Sequence, residues 1–159
     1  MPQGSGRKTE SEPRDRPHSN IVSIAQGKRQ MIIELDLIPI SLNQLYRQFR
    51  GRTIMSAKGR EFKVHLEAVL AGFETSSILG MFTETEGLDV EIHFYSKKFF
   101  TKDGNIRKRY LDADNLLKVT LDTVFKVIGI DDSFITKLTV TKNHGYYDKT
   151  VIKFTRRVD

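Results

Sequence analysis

Two hydrophobic rhythms alternate along the chain. In "MIIELDLIPI", Ile33, Leu35 and Leu37 alternate with Glu34 and Asp36, the two-residue period of a strand with one buried face. In "SAKGREFKVHLEAVL" the period lengthens. Phe62, Leu66 and Val69 fall on one side of a helix, and Ser56 stands where an N-cap hydroxyl belongs. "LDVEIHFY" returns to alternation, with Val90, Ile92 and Phe94 on one side. A second helix is predicted over about 113–128, with Leu117, Leu121, Val124 and Ile128 as its core stripe and Gly129 as a left-handed stop. "ITKLTVTK" and "TVIKF" read as two closing strands joined as a hairpin through "NHGYYD", with Gly145 in the loop. The order β-α-β-α-β-β predicts an α/β (α+β) body of two layers, two main helices against a small mixed sheet.

The start of the chain breaks this rhythm. Residues 1–30 hold three of the four prolines and few apolar side chains, too few to offset the entropy of ordering. They are predicted to form a disordered N-terminal arm, leaving 31–159 as one domain, which suits a chain of 159 residues. No apolar run approaches the roughly 18 residues of a spanning helix, so a soluble protein with no membrane partner is expected. The first residues lack the apolar core of a signal peptide, which points to a cytoplasmic location. There is no cysteine, so neither disulfides nor thiolate metal sites are available. With 26 Lys plus Arg against 20 Asp plus Glu, the net charge of +6 favours an anionic partner, nucleic acid before membrane.

Against that basic background, the acids in "RYLDADNLLK" stand out. Asp112 or Asp114 could cap the second helix, whose free N–H groups welcome a carboxylate. One cap needs one carboxylate, however, and here two crowd together with Asn115 and Lys118. Close carboxylates repel unless a proton or a cation lies between them. A hard divalent ion such as Mg²⁺, with Mn²⁺ as a substitute, suits oxygen ligands and leaves room for water and phosphate. Zinc suits the chain less, because His18, His65, His93 and His144 have no ligand-like spacing. Lys118 lies one turn beyond Asp114, and Asp122 one turn further. Beyond Gly129, Asp131 and Asp132 could shape a turn through side-chain-to-backbone bonds.

Basic side chains surround these acids. "YSKKFFTKDGNIRKRY" carries Lys97, Lys98, Lys102, Arg107, Lys108 and Arg109 against the single acid Asp103, a loop able to hold a phosphate backbone. Phe99 and Phe100 within it are either core anchors or platforms for an unpaired base. "LYRQFRGR" adds Tyr46, Arg47, Arg50 and Arg52 between the first strand and helix.

"LDADNLLKVTLDTVFKVIGIDDSFI" resembles the signature of the RusA-type Holliday junction resolvases: Asp-x-Asp-Asn-x-x-Lys, an Asp on the following turn, then Gly-x-Asp-Asp. "IPISLNQLYRQFRGRTIMSAKGREF" is similar to that family's strand exit, Arg-rich loop and Ser-capped helix, so the likeness runs from about residue 34 to 155. Two departures are a single Pro39 where paired prolines are usual and a longer basic loop over 97–109. The resemblance implies a homodimeric endodeoxyribonuclease that resolves four-way DNA junctions by symmetric nicks, leaving 5′-phosphate ends. It implies metal ligands at Asp112, Asp114 and Asp132, and Lys118 as an essential cation. A helix over 113–128 would be roughly 24 Å long at about 1.5 Å per residue, so one ion cannot join both of its ends. The expected solution is a site shared across a dimer: Asp112, Asp114 and Lys118 from one chain, Asp132 from the other. Three alternatives stay open: a non-catalytic protein that binds branched DNA, a related nuclease with a different branched substrate, and a nuclease directed at RNA.

Overall fold

The computed structural model describes residues 21–25, 30–71, 87–107 and 112–157. The alternating segments become strands of one five-stranded sheet. These are β1 (Ile21–Ala25), β2 (Gln30–Leu35), β5 (Leu88–Tyr95), β6 (Ile135–Asn143) and β7 (Lys149–Arg156). A short helix α1 (Leu42–Leu45) leads into a separate two-stranded ribbon, β3 (Tyr46–Phe49) and β4 (Arg52–Met55), and then into α2 (Ala57–Leu70). The last helix, α3, opens as Ala113–Thr120, passes through a π-helical turn at Leu121–Phe125 and closes with Lys126–Ile128. Gly129, at φ 74°, supplies the left-handed stop that its position predicted.

The sheet order is β1-β2-β7-β5-β6, with β5 and β6 parallel and the other pairs antiparallel. The apolar phase of each strand faces the helices: Met31, Ile33 and Leu35 from β2; Val90, Ile92 and Phe94 from β5; Ile152 and Phe154 from β7. Leu66 and Leu70 of α2 and Leu116, Val124, Phe125 and Ile128 of α3 complete the core. Phe125 and Phe154 meet at 5.4 Å between ring centroids, tilted by 54°. The two-layer, mixed-sheet body expected from the pattern is thus present, with two main helices.

Four details differ from the pattern. Ile21–Ala25, placed in the disordered arm, is a strand whose backbone pairs with β2 from Ile21↔Glu34 to Ala25↔Gln30. "IVSIA" is rich in β-branched residues, and a paired backbone supplies hydrogen bonds that overall composition does not weigh. Residues 1–20 and 26–29 of the expected arm lie outside the described residues. The expected core stripe of α3 holds at Val124 and Ile128, which are buried with Leu116, Val119, Thr120, Thr123 and Phe125, whereas Leu117 and Leu121 are only partly buried. The buried face before the π turn at Leu121–Phe125 is set one residue earlier than expected, on Leu116 and Thr120. Thr120 and Thr123 tolerate burial there because their hydroxyls donate to the carbonyls of Leu116 (2.8 Å) and Val119 (2.6 Å). Third, the "Arg-rich loop" is the β3–β4 ribbon.

Fourth, β6 and β7 do not form a hairpin. β5 lies between them, and residues 144–148 carry the chain across its end. Two strand spacings amount to about 10 Å, which five extended residues cover at about 3.3 Å each. The crossing is held by Ser96, whose N–H donates to the Asn143 carbonyl (3.1 Å) and whose hydroxyl donates to Asp148 (2.6 Å). Lys98 pairs with the other Asp148 oxygen at 2.8 Å. A Cβ on Gly145 would lie 2.8 Å from Tyr95 Cβ and 3.2 Å from the Tyr147 carbonyl oxygen. Gly145→Ala is therefore expected to destabilise the fold by about 1–3 kcal/mol through overpacking. Urea unfolding reads this as a lower midpoint at unchanged slope, and an unaltered midpoint would contradict the close crossing.

Candidate functional site

The ribbon is held against α3 by a compact junction. Ser41 caps α1, and Gln44 returns a bond to the Ser41 N–H, forming a capping box. Leu45 is buried and its carbonyl accepts from the Ser56 N–H at 2.9 Å. Ser56 caps α2 by accepting from the Gly59 N–H (2.9 Å), while its own hydroxyl donates to the Gln44 carbonyl. Gly59 has a steric reason to lack a side chain, since a Cβ there would collide with the Leu45 carbonyl oxygen. From this anchor the ribbon runs out in register, Tyr46↔Met55 to Phe49↔Arg52. Arg50 (φ 48°) and Gly51 (φ 74°) make its turn, and positive φ at both central residues marks the type I′ geometry. Gly51 adopts that conformation freely. Arg50 holds it at a cost of roughly 1–2 kcal/mol.

Between ribbon and helix lies an open cleft of about 520 Å³, lined by Leu42, Asn43, Tyr46, Arg47, Gln48 and Thr53 on one side and Lys118 and Asp122 on the other. Burial raises the Tyr46 phenol above its ordinary pKa, and the Asp122 carboxylate raises it further. Asp122 also borders a second hollow of about 380 Å³, around which Leu121, Phe125, Lys126, Gly129, Ile130, Asp131 and Asp132 are arranged. A cation (Arg47) and a phenol (Tyr46) on the ribbon thus share a space open to solvent with a lysine and a carboxylate on α3.

The acids divide by what they touch. Asp112 is the residue before α3, and its backbone carbonyl accepts from the Leu116 N–H (3.1 Å), yet its carboxylate makes no capping bond. Asp114 is exposed in the first helical turn, where the helix dipole favours a negative charge. Asp131 serves structure: its carboxylate accepts from the Ser133 N–H at 2.8 Å and opens a 3₁₀ turn over Asp132–Phe134. That bond holds the Asp131 pKa below its ordinary value. Asp132, next to it, is exposed. Capping thus accounts for Asp131 and leaves the carboxylates of Asp112, Asp114 and Asp132 without a structural role among the described residues.

Among the described residues, no three Asp, Glu or His side chains come close enough to hold a metal ion. Asp112 and Asp114 offer hard oxygen donors of the kind Mg²⁺ prefers, but they form a partial set. The helix between them and Asp132 is continuous through its π turn, so a single chain does not unite its two ends. The structure brings Lys118 together with Arg47 and Asp122; it does not bring Asp132 to Asp112 and Asp114.

The other basic residues fall into two groups. Arg50 and Arg52 are exposed at the ribbon tip. In the 97–107 loop, Lys98 is engaged by Asp148, Lys97 stands 5.4 Å over the Tyr146 ring, and Arg107 donates through Nε to the Phe100 carbonyl (3.0 Å). Lys102 is exposed, and Lys108 and Arg109 lie outside the described residues. Phe99 is wholly buried in the core and Phe100 packs beside it, 5.8 Å from His144, so both are anchors. His93 is half-buried and shares a 2.7 Å hydrogen bond with Thr141. Asn43 was not singled out by sequence, and Tyr46 and Asp122, though named there, were given no role in the site. The two short runs "YRQF" and "RTIM", parted by only Arg50 and Gly51, have the spacing of a tight hairpin, a signal for the wall that carries Tyr46.

Comparison with known proteins places these features in a family. No curated protein matches the chain significantly. Among solved structures, the periplasmic domain of Helicobacter pylori MotB (residues 90–256) is 9% identical, with a TM-score of 0.42 over 89% of this chain and 82% of that one. That likeness is too loose to bear on fold or function. The family model described as Endodeoxyribonuclease RusA matches residues 38–155, a span that takes in α1, the ribbon, both main helices and the acids at both ends of α3. The chain belongs to the RusA family of endodeoxyribonucleases, whose substrates are Holliday junctions.

Proposed function

We propose that this chain is a Mg²⁺-dependent, homodimeric junction resolvase that cuts symmetrically placed strands and leaves 5′-phosphate ends. The observation that carries the reading is the division of the acids. Asp112, Asp114 and Asp132 lie at opposite ends of one unbroken helix, and none of their carboxylates is used to cap or to turn the chain. Carboxylates left exposed in a basic chain are suited to a cation that DNA accompanies. Each site would join Asp112, Asp114 and Lys118 with Asp132 of the partner subunit.

A bound Mg²⁺ would supply Lewis-acid polarisation of the scissile phosphate and a more acidic water. The chain's own residues do the rest. Asp112 and Asp114, whose negative charges the N-terminus of α3 favours, would hold the ion there. Lys118, one turn along, offers a compact positive charge to the phosphoryl oxygens as negative charge gathers on them. Water attacks phosphorus, the bond to the 3′ oxygen breaks, and that oxygen leaves as a hydroxyl while the phosphate stays on the 5′ end. Arg47 within the cleft, with Arg50 and Arg52 at the tip, would hold the strand by its backbone.

Asp112→Asn, Asp114→Asn and Asp132→Asn are each expected to slow nicking of a labelled four-way junction by about 100-fold or more. Junction affinity and far-ultraviolet helicity should be retained. A variant that cuts at the wild-type rate removes that residue from the ligand set, and lost helicity would return it to a capping role. When Asp112→Asn and Asp132→Asn proteins are mixed and allowed to exchange subunits, nicking should return, because each mixed dimer has one intact site. Continued inactivity after proven exchange would place each site within one chain. Arg50→Asn (a residue that accepts the left-handed turn) combined with Arg52→Gln should lower the salt slope of binding by roughly 2, about 0.9 per phosphate contact. An unchanged slope would take the tip away from the DNA backbone.

A further inference from the structure

Phe49 is the last residue of β3, at the tip of the ribbon, and 49% of its surface is exposed. A single exposed aromatic is ordinary in a folded chain, but the surroundings of this one are unusual. The Arg47 guanidinium lies 5.7 Å and the Arg50 guanidinium 5.3 Å from its ring centroid, and Arg52 is its cross-strand neighbour. Arg50 reaches that place from a left-handed backbone that an Asn or Gly would occupy with less strain. Strain of this kind, held at an exposed tip, is what a functional side chain explains and a structural one does not. The foot of the same ribbon is the wall of the cleft that contains Lys118 and Asp122.

From this arrangement we infer that Phe49 stacks on a base at the branch point of the DNA, with Arg47 and Arg50 extending its flat surface. The inference rests on the junction-nuclease reading and adds to it a means of recognising the branch. Within a continuous duplex both faces of every base are covered by neighbours, so a ring outside the helix finds no partner. Where four arms meet, stacking is interrupted, and a base there is exposed at the lowest cost. Aromatic rings accept any base on their faces, and arginine can stack while its N–H groups fork to phosphate. The phosphate contacts of the tip therefore favour any DNA, and the ring favours a branch.

The test uses the full chain with a four-way junction carrying 2-aminopurine at the branch point, and a linear duplex of the same arms, in EDTA so that no strand is cut. Wild-type binding is expected to raise the 2-aminopurine fluorescence as the base leaves its neighbours. Phe49→Ala should abolish that rise and weaken junction binding by about 5- to 100-fold, the range of one base–aromatic stack. Its duplex affinity and its salt slope should stay as they are, and Phe49→Trp should restore junction binding. Phe49→Ala that binds the junction as tightly as wild type, or that loses junction and duplex affinity equally, would overturn the proposal. Both readouts report binding alone. Nicking of the same junction by the wild-type protein with Mg²⁺ is scored separately and decides the nuclease reading.

Discussion

The burial of one side of α3 against the sheet is the constraint on which the rest of the molecule depends. Leu116, Val124, Phe125 and Ile128 press onto a sheet face formed by alternate residues of three strands, with Phe125 against Phe154 at the centre. Each such side chain contributes about 1.5–3 kcal/mol when fully buried, so the helix is pinned along its length rather than at one end. Pinned in this way, α3 works as a rod of fixed span. It carries Asp114, Lys118 and Asp122 on surfaces not used for packing, and it delivers the chain at Gly129 into the turn that holds Asp131 and Asp132. The π turn adjusts the phase of the rod without bending the chain back on itself, so the acids at its two ends stay apart.

The elements with a strong single period were legible before any coordinates. In β2 and β5, every second residue is apolar and buried, and no competing arrangement buries those faces. What escaped the pattern did so for separable reasons. Leu117 and Leu121 satisfy a helical stripe on paper, but Leu116, Thr120 and Thr123 go inside instead, the two threonines with their hydroxyls bonded to the preceding turn. The link after β6 contains the glycine and polar residues of a hairpin loop; a step across one strand asks for the same composition, so local sequence does not separate the two. β1 was hidden by the prolines that precede it. For the site, Asp112, Asp114 and Lys118 were readable as a cluster because they share one helical start. The cleft wall from Asn43 to Thr53 depends on how the ribbon leans on α3, a tertiary fact with no periodic trace.

Neighbouring residues of identical chemistry are put to different uses here. Asp131 commits its carboxylate to the Ser133 N–H, and Asp132 is exposed in the turn so formed. Lys98 is committed to Asp148, which ties the crossing over β5, whereas Lys102 on the same loop is exposed. Phe99 is sealed in the core while Phe49 is half exposed between guanidinium groups. In each pair one residue fixes a piece of backbone and leaves the other available to a partner. Composition alone, which counts both members alike, overstates the charge free to meet DNA.

The position of β7 has a consequence for how the chain reaches this structure. It is the last strand in chain order, yet it lies in the middle of the sheet, with Gln30 of β2 paired to its Thr155 and Leu88 of β5 to its Arg156. As the polypeptide emerges from the ribosome, β2 and β5 are both made long before the strand that joins them. Neither can zip onto the other, and each exposes an open edge until β7 arrives. The closing step must therefore draw together residues more than a hundred positions apart, a contact order that slows folding and leaves unpaired strands in reach of other chains meanwhile. Nascent copies of this protein should thus need shielding until β7 has been made, and the hydrogen bonds of the sheet's centre should appear late and together.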